Sequence, residues 1–168
     1  RQDKIKPILA KHEEGAAFMA DGYARVKGGL GVCFATSGPG ATNLITGVAT
    51  SYLDNIPVLV LTGQVATSTS GGGAFQDSTK NGVDSVGMFD PITKYSSMII
   101  SKYRVGEEIR EALRMALTGK KGPVHLSLPK DIMAEEIDAE LPSTTSYRPP
   151  SEYFDRRLVI EAAEQLVN

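Results

Sequence analysis

The stretch LGVCFATSGPGATN, Leu30 to Asn43, is an apolar run that ends in a turn bearing glycine and proline and leads straight into a helical pattern. Leu30 to Ala35 is apolar from end to end, as expected of a strand covered on both faces in a parallel sheet. Thr36-Ser37-Gly38-Pro39-Gly40 then provides what a strand-to-helix turn needs: glycines that allow close backbone approach, a proline suited to a first helical turn, and Ser37 to cap it. Beyond the turn, Leu44, Ile45, Val48 and Tyr52 mark one face of a helix. Such turns line ligand crevices at the carboxyl ends of parallel strands. On these residues alone, a phosphate site at a helix N-terminus or a purely structural corner fits equally well.

The same alternation extends in both directions. Ile5 to Leu9 reads as a short strand, followed by a helix over Glu13 to Arg25 in which Ala16, Ala17, Ala20, Tyr23 and Ala24 recur at helical spacing. Pro57 to Leu61, closed by Thr62-Gly63-Gln64, is another apolar run. Tyr95 to Ile100 and Val124 to Leu128, closed by Pro129, are further strands. Between them Gly106 to Thr118 predicts an amphipathic helix, with Ile109, Leu113, Ala116 and Leu117 inside and Glu107, Glu108 and Arg110 outside. Strands alternating with helices predict an α/β fold of three layers: a mostly parallel central sheet with helices on both faces.

Ala66 to Gly73, rich in Ser, Thr and Gly, predicts a mobile surface loop, and Ala74 to Gly87 a shorter helical or turn region. The proline-bearing Leu141 to Pro150 reads as a linker. Asp155 is then placed to cap a helix through Leu158, Ala162, Ala163 and Leu166. The expected plan is one domain over residues 1–138, a linker over 139–154, and the first helix of a further, central domain over 155–168.

Composition narrows the function. The 168 residues, 41% hydrophobic and 23% charged, suffice for one compact domain with a short extension. The formal charge of -2 is spread along the chain without a basic stripe, which argues against nucleic acid. No apolar segment approaches the length of a membrane span. The single Cys33 lies in an apolar run, so it reads as a small buried hydrophobe in a reduced, cytoplasmic protein.

Two segments, His12-Glu13-Glu14-Gly15-Ala16-Ala17 with Asp21-Gly22-Tyr23-Ala24-Arg25, and Ala35 through Asn43, resemble the N-terminal pyrimidine-binding domain of acetolactate synthase and its thiamine-diphosphate-dependent relatives. Thr62-Gly63-Gln64, Ala74-Phe75-Gln76, Gly122-Pro123-Val124 and Leu128-Pro129-Lys130-Asp131 follow in the family's order, so the resemblance spans roughly residues 5–138. It implies that Glu13 hydrogen-bonds the ring nitrogen N1′ of the cofactor's aminopyrimidine, favouring the imino tautomer that deprotonates the thiazolium C2. Burial would raise the pKa of such a glutamate and help it keep the proton. Without the flanking motifs, Glu13 and Glu14 would read simply as acids favoured at a helix N-terminus.

The resemblance also implies that Thr36, Pro39 and Asn43 lie against the pyrimidine, with Gly38 and Gly40 allowing the approach. Phe75 and Gln76 would cover the reaction centre, with Gln76 near the cofactor's bound intermediate. Lys94 and Lys130 match positions near the substrate channel, although lysines are usually solvated. His12 is expected to support Glu13, and His125 to be a core or interface histidine.

The activity implied is condensation of a pyruvate-derived hydroxyethyl group with a second 2-oxo acid, giving acetolactate or acetohydroxybutyrate. Thiamine diphosphate would be shared with a partner subunit of a homodimer or homotetramer. Mg2+ would sit in a separate C-terminal domain, FAD in the central one, and a small regulatory subunit would complete the parent enzyme. The fragment alone is expected to be inactive.

Departures from the family's usual run at Ala66, Gly73, Gly82 to Phe89 and Tyr95 surround the substrate side. They keep open another 2-oxo acid lyase, a decarboxylase or a sulfoacetaldehyde-type acyltransferase. A nucleotide- or phosphate-binding module and an inactive dimerisation scaffold are the readings from other classes. The strand and helix that usually open the domain have no counterpart at the start, so the sheet is expected to expose an edge or a face.

Overall fold

The computed structural model describes residues 5–137 and 155–167. Four strands, β1 (Gly31–Ala35), β2 (Val58–Gln64), β3 (Ser96–Met98) and β4 (Val124–Pro129), form one sheet in the order β1-β2-β4-β3. Every neighbouring pair is parallel. Register aligns Cys33 with Val60, Val60 with His125, and His125 with Ser96, so these four share one face.

That face is covered by α1 (Glu13–Lys27), α2 (Pro39–Asn43), α3 (Ile45–Leu53) and α4 (Ser85–Phe89). Ala17, Ala20, Cys33, Leu44, Val48, Val58, Val60 and Phe89 form its core. The opposite face packs on α5 (Val105–Leu117), where Ala112 and Ala116 meet Val124 and Leu126. The three-layer α/β architecture expected from the sequence is therefore present.

Helix α1 sits very close to β1 because its inner face is built of alanines. A Cβ on Gly31 would lie 2.1 Å from the Ala20 carbonyl oxygen, and one on Gly47 would lie 2.5 Å from the Ala17 methyl. Ala20 thus rests on the amino end of β1, while Glu13, nearly two turns earlier, reaches the carboxyl end. Asp21 is buried on the same helix, accepting from Arg25 Nε at 2.5 Å and Ser51 Oγ at 2.8 Å. Gly28, at φ 66°, ends α1 and donates its N–H to Ala24.

Several local expectations are corrected. Ile5 to Leu9 is not in the sheet; Pro7 removes a ladder donor there, and Ile5, Ile8 and Leu9 are exposed. The helix after the turn is broken at Leu44, whose N–H turns to Ala41 O at 3.1 Å, and Tyr52 faces outward. Strand β3 spans only three residues. Burial on both faces holds for β4 but not for β1, because α5 does not reach the sheet edge where Val32 is 53% and Phe34 66% exposed.

Glu108, read as outward-facing, is buried instead. It accepts from the Tyr95 hydroxyl and pairs with Arg104 Nη2 at 3.3 Å, which offsets the cost of its burial. The 66–73 segment is on the surface, as expected, with a 3-10 turn at Thr67–Thr69. It is tied down by Asp131, which accepts from Thr67 N at 3.0 Å and from its hydroxyl, and by Asp77, which accepts from Gly71 N at 2.7 Å.

A short helix α6 (Lys130–Met133) follows β4, and the next described element is α7 (Arg156–Val167); the expected linker over residues 139–154 lies outside the described residues. Asp155 caps α7 as expected, accepting from Arg157 N at 2.9 Å. Among the described residues, no helix is long and apolar enough to cross a membrane.

Candidate functional site

The carboxyl ends of β1 and β2 and the amino end of α1 converge on the turn at residues 36–40. His12 caps α1, its Nδ1 accepting from Glu14 N at 3.3 Å, and this places Glu13 as the first helical residue. There the half-buried Glu13 carboxylate accepts from Asn43 Nδ2 at 3.1 Å. The Glu13 side chain is thereby turned toward the glycine turn, while the His12 ring bonds the backbone of Glu14.

The turn allows this approach because it lacks side chains where they would collide. A Cβ on Gly40 would come within 2.8 Å of Thr36 Cγ2 and 3.6 Å of Glu13 Oε1. Gly38 has φ 66°, which suits glycine, and a Cβ there would lie 3.0 Å from Gln76 Cβ. Pro39 opens α2, as expected. Ser37 does not cap it: the cap position belongs to Gly38, which makes no side-chain cap bond.

Glu13 has its pKa lowered. The hydrogen bond from Asn43 is the main cause, followed by a backbone N–H at its own position, with His12 adding slightly and partial desolvation opposing. Burial, the influence expected to dominate, acts in the opposite direction and would raise it. In the single chain the carboxylate is only half covered, so the hydrogen bonds win.

The other expected residues are distributed unevenly. Gln76 packs on Gly38, and Phe75 beside it is 88% exposed. Lys130 is exposed at the start of α6, on the same carboxyl edge of the sheet. Lys94 precedes β3 at the opposite, amino edge. Its ammonium donates to Met115 O and to Thr118 O at 2.9 Å, closing the end of α5, and desolvation pushes its pKa down. The structure does not bring Lys94 to Glu13.

His125 is a core histidine. It bonds Thr62 Oγ1 at 2.8 Å and Ser96 Oγ at 2.9 Å and stacks on Phe89 with ring centroids 4.2 Å apart. Burial pushes its pKa down to about 3, so the ring is neutral. Cys33 is buried, and desolvation pushes its thiol up to about 12, which fits an inert hydrophobe. Among the described residues no group of three or more His, Cys, Asp or Glu side chains is placed to hold a metal.

Sequence reasoning missed the residues that hold Gln76. Ser78 and Gln64 are buried around its loop, with Gln64 Oε1 accepting from Ser78 N at 3.0 Å. Asp77 Oδ1 accepts from Thr79 N at 2.9 Å, an Asx turn whose Asp-Ser-Thr signature was legible; nothing local marks Ser78.

The family profile described as thiamine pyrophosphate enzyme, N-terminal TPP binding domain, matches residues 1–88. A "Probable acetolactate synthase large subunit" of Methanocaldococcus jannaschii is 51% identical over 133 residues, covering 79% of this chain and 22% of the relative. The acetolactate synthase large subunit of Corynebacterium glutamicum is 40% identical over 167 residues, covering 98% of this chain and 26% of the relative. Acetolactate synthase isozyme 3 large subunit of Escherichia coli is 44% identical over 146 residues, covering 86% and 25%. The chain thus spans about a quarter of the length of these curated relatives.

Proposed function

The chain belongs to the thiamine pyrophosphate enzymes, whose N-terminal TPP binding domain it carries, and from that premise we propose that it forms the pyrimidine-binding half of an acetolactate synthase active site. The whole protein joins the two-carbon unit left by decarboxylated pyruvate to a second 2-oxo acid, giving acetolactate or acetohydroxybutyrate. The observation that carries this reading is the Glu13 carboxylate held by Asn43 at 3.1 Å, facing the glycine turn at Gly40, where a Cβ would meet Thr36 Cγ2 at 2.8 Å.

The donor set fits an aminopyrimidine: a carboxyl group able to share a proton with ring nitrogen N1′, and a glycine-lined turn able to lie flat against the ring. When bound, thiamine diphosphate supplies a thiazolium carbon nucleophile and a sink for the electrons freed by loss of CO2. Glu13 exchanges the proton at N1′, and Asn43 keeps the carboxylate turned toward that atom. Thr36, Gly38, Pro39 and Gly40 hold the ring's face. Gln76 works beside the reacting carbon, Phe75 covers it, and Lys130 lines the approach of the 2-oxo acid. Lys94 has no part in this reading.

The diphosphate arm and Mg2+ are held by a C-terminal domain of a partner subunit in a homodimer or homotetramer. Covering Glu13 in that way removes water and pushes its pKa up against the pull of Asn43. The helix α7 begins a central domain with FAD as a structural cofactor, and a small regulatory subunit completes a cytoplasmic enzyme. The 168-residue chain alone has no turnover.

Hydrogen–deuterium exchange at C2 of thiamine diphosphate in the full-length enzyme tests the role of Glu13. Glu13→Gln is expected to slow it by about 10²–10⁴-fold. Exchange at the wild-type rate would overturn the assignment, and pyruvate turnover without acetolactate would redirect the product to another 2-oxo acid reaction.

A further inference from the structure

Gln76 holds a backbone conformation that its residue type disfavours. Among the described residues only Asn55 and Gln76 combine a side chain with a positive φ, 59° at Gln76. Left-handed backbone carries a steric cost for L-residues with a Cβ, so neighbouring groups must hold it in place.

The neighbour placed to do so is Ser78, which is fully buried. Its Oγ accepts from Gly38 N at 2.7 Å and donates to Gln76 O at 3.3 Å, joining the glycine turn to the Gln76 loop through one atom. Its N–H donates to Gln64 Oε1 at 3.0 Å, and its carbonyl accepts from Ser85 N and Ser85 Oγ, both at 3.1 Å. Gln64 Oε1 also accepts from Val65 N at 2.9 Å, although the amide's Nε2 is buried without a partner. An amide kept in place despite that unsatisfied donor points to the value of its acceptor. The loop is thereby bound to the carboxyl end of β2, and Gln76 Cβ is pressed onto Gly38.

We propose that Ser78, seated on Gln64, is a positioning residue that fixes Gln76 against the Gly38–Pro39 turn. The hydroxyl acts through Gln76, so the inference rests on the reading that Gln76 works beside the reacting carbon. Loss of the hydroxyl frees the loop without touching Glu13, so steps that depend on Gln76 slow while proton exchange governed by Glu13 continues.

The test uses the full-length enzyme with Ser78→Ala, Ser78→Thr, Gln76→Ala and the double variant Ser78→Ala/Gln76→Ala. Ser78→Ala is expected to lower kcat about tenfold, with KM for pyruvate and C2 exchange of thiamine diphosphate changed less than about twofold. Ser78→Thr, which keeps the hydroxyl, restores turnover. In the Gln76→Ala background, Ser78→Ala adds no further loss, as expected when one residue acts through the other. Equal losses in kcat and C2 exchange, or full additivity, overturn the proposal. Backbone amide exchange over residues 76–79 separates it from the reading beneath it. Ser78→Ala is expected to quicken that exchange about tenfold, and no change there defeats the clamp. Wild-type turnover in Gln76→Ala with faster amide exchange in Ser78→Ala defeats the role of Gln76 and leaves the clamp.

Discussion

Glu13 Oε2 and Asn43 Nδ2 come from residues 30 apart in the chain and meet at 3.1 Å across the carboxyl edge of the sheet. One side chain opens α1 and the other closes α2, so the contact exists only while both helices keep their places against β1. The alanine face of α1 and the bare backbone of Gly31 and Gly47 set that spacing.

Replacing Asn43 with Ala removes the main cause of the low Glu13 pKa, which then rises toward the ordinary glutamate value. A group depressed in the folded state contributes stability above its unfolded pKa and loses it as pH falls through the folded value. Asn43→Ala therefore narrows the acid range over which Glu13 stays ionised. A 13C NMR titration of the carboxyl carbon checks this; an unchanged midpoint would show that another group holds the charge.

His125 titrates in the opposite sense to a stabilised histidine. Its folded pKa of about 3 lies below the ordinary 6.5, so the native state resists a proton that the unfolded chain accepts. Its contribution is intact above pH 6.5 and declines by about 1.4 kcal/mol per pH unit as pH falls toward 3. His125→Asn is expected to cost about 2–3 kcal/mol at pH 8 through the lost Thr62 and Ser96 bonds and the Phe89 stack. Below pH 6 its stability is expected to fall less steeply than that of wild type, by one proton. Urea midpoints measured across this range decide it; parallel curves would mean that the ring protonates in place.

Gly31→Ala and Gly22→Ala make a matched pair. A methyl at Gly31 meets the Ala20 carbonyl oxygen at 2.1 Å, a backbone atom that cannot rotate away, whereas one at Gly22 meets nothing within 4 Å. The first is expected to destabilise by about 1–3 kcal/mol. The second, inside α1, is expected to stabilise by up to about 1 kcal/mol. Thermal unfolding of the two variants in opposite directions would support the close seating of α1.

Asp131 anchors the start of the loop over residues 66–73 through the N–H and hydroxyl of Thr67. Asp131→Ala is expected to speed amide exchange at Thr67 by about tenfold, equivalent to about 1.4 kcal/mol for a charge-assisted bond. Because this carboxylate is depressed by Thr67, the anchor holds above the ordinary carboxylate range and loosens as pH falls through the lowered value. Exchange at Thr67 unchanged by the substitution would leave the 3-10 turn as the loop's own support.

Much of the site was legible because its logic is local. The run from Leu30 to Asn43 carries its strand, its glycine turn and its helix start in consecutive residues, and the alanines of α1 announce a closely packed face. Other features depended on distant partners. Glu108 reads as a solvent-facing acid until Tyr95 and Arg104 arrive beside it. Ser78 reads as an ordinary loop serine until Gly38, 40 residues away, donates to it.

By itself, the sequence determined the alternation of strands and helices from α1 onward, the glycine turn after β1 and the family to which the chain belongs, since these are set by periodicity and by motifs of adjacent residues. Only the tertiary structure decided which sheet faces are covered, which way the pKa of Glu13 moves and what holds Gln76. Burial and hydrogen bonding depend on groups far apart in the chain, and no local pattern encodes their distances.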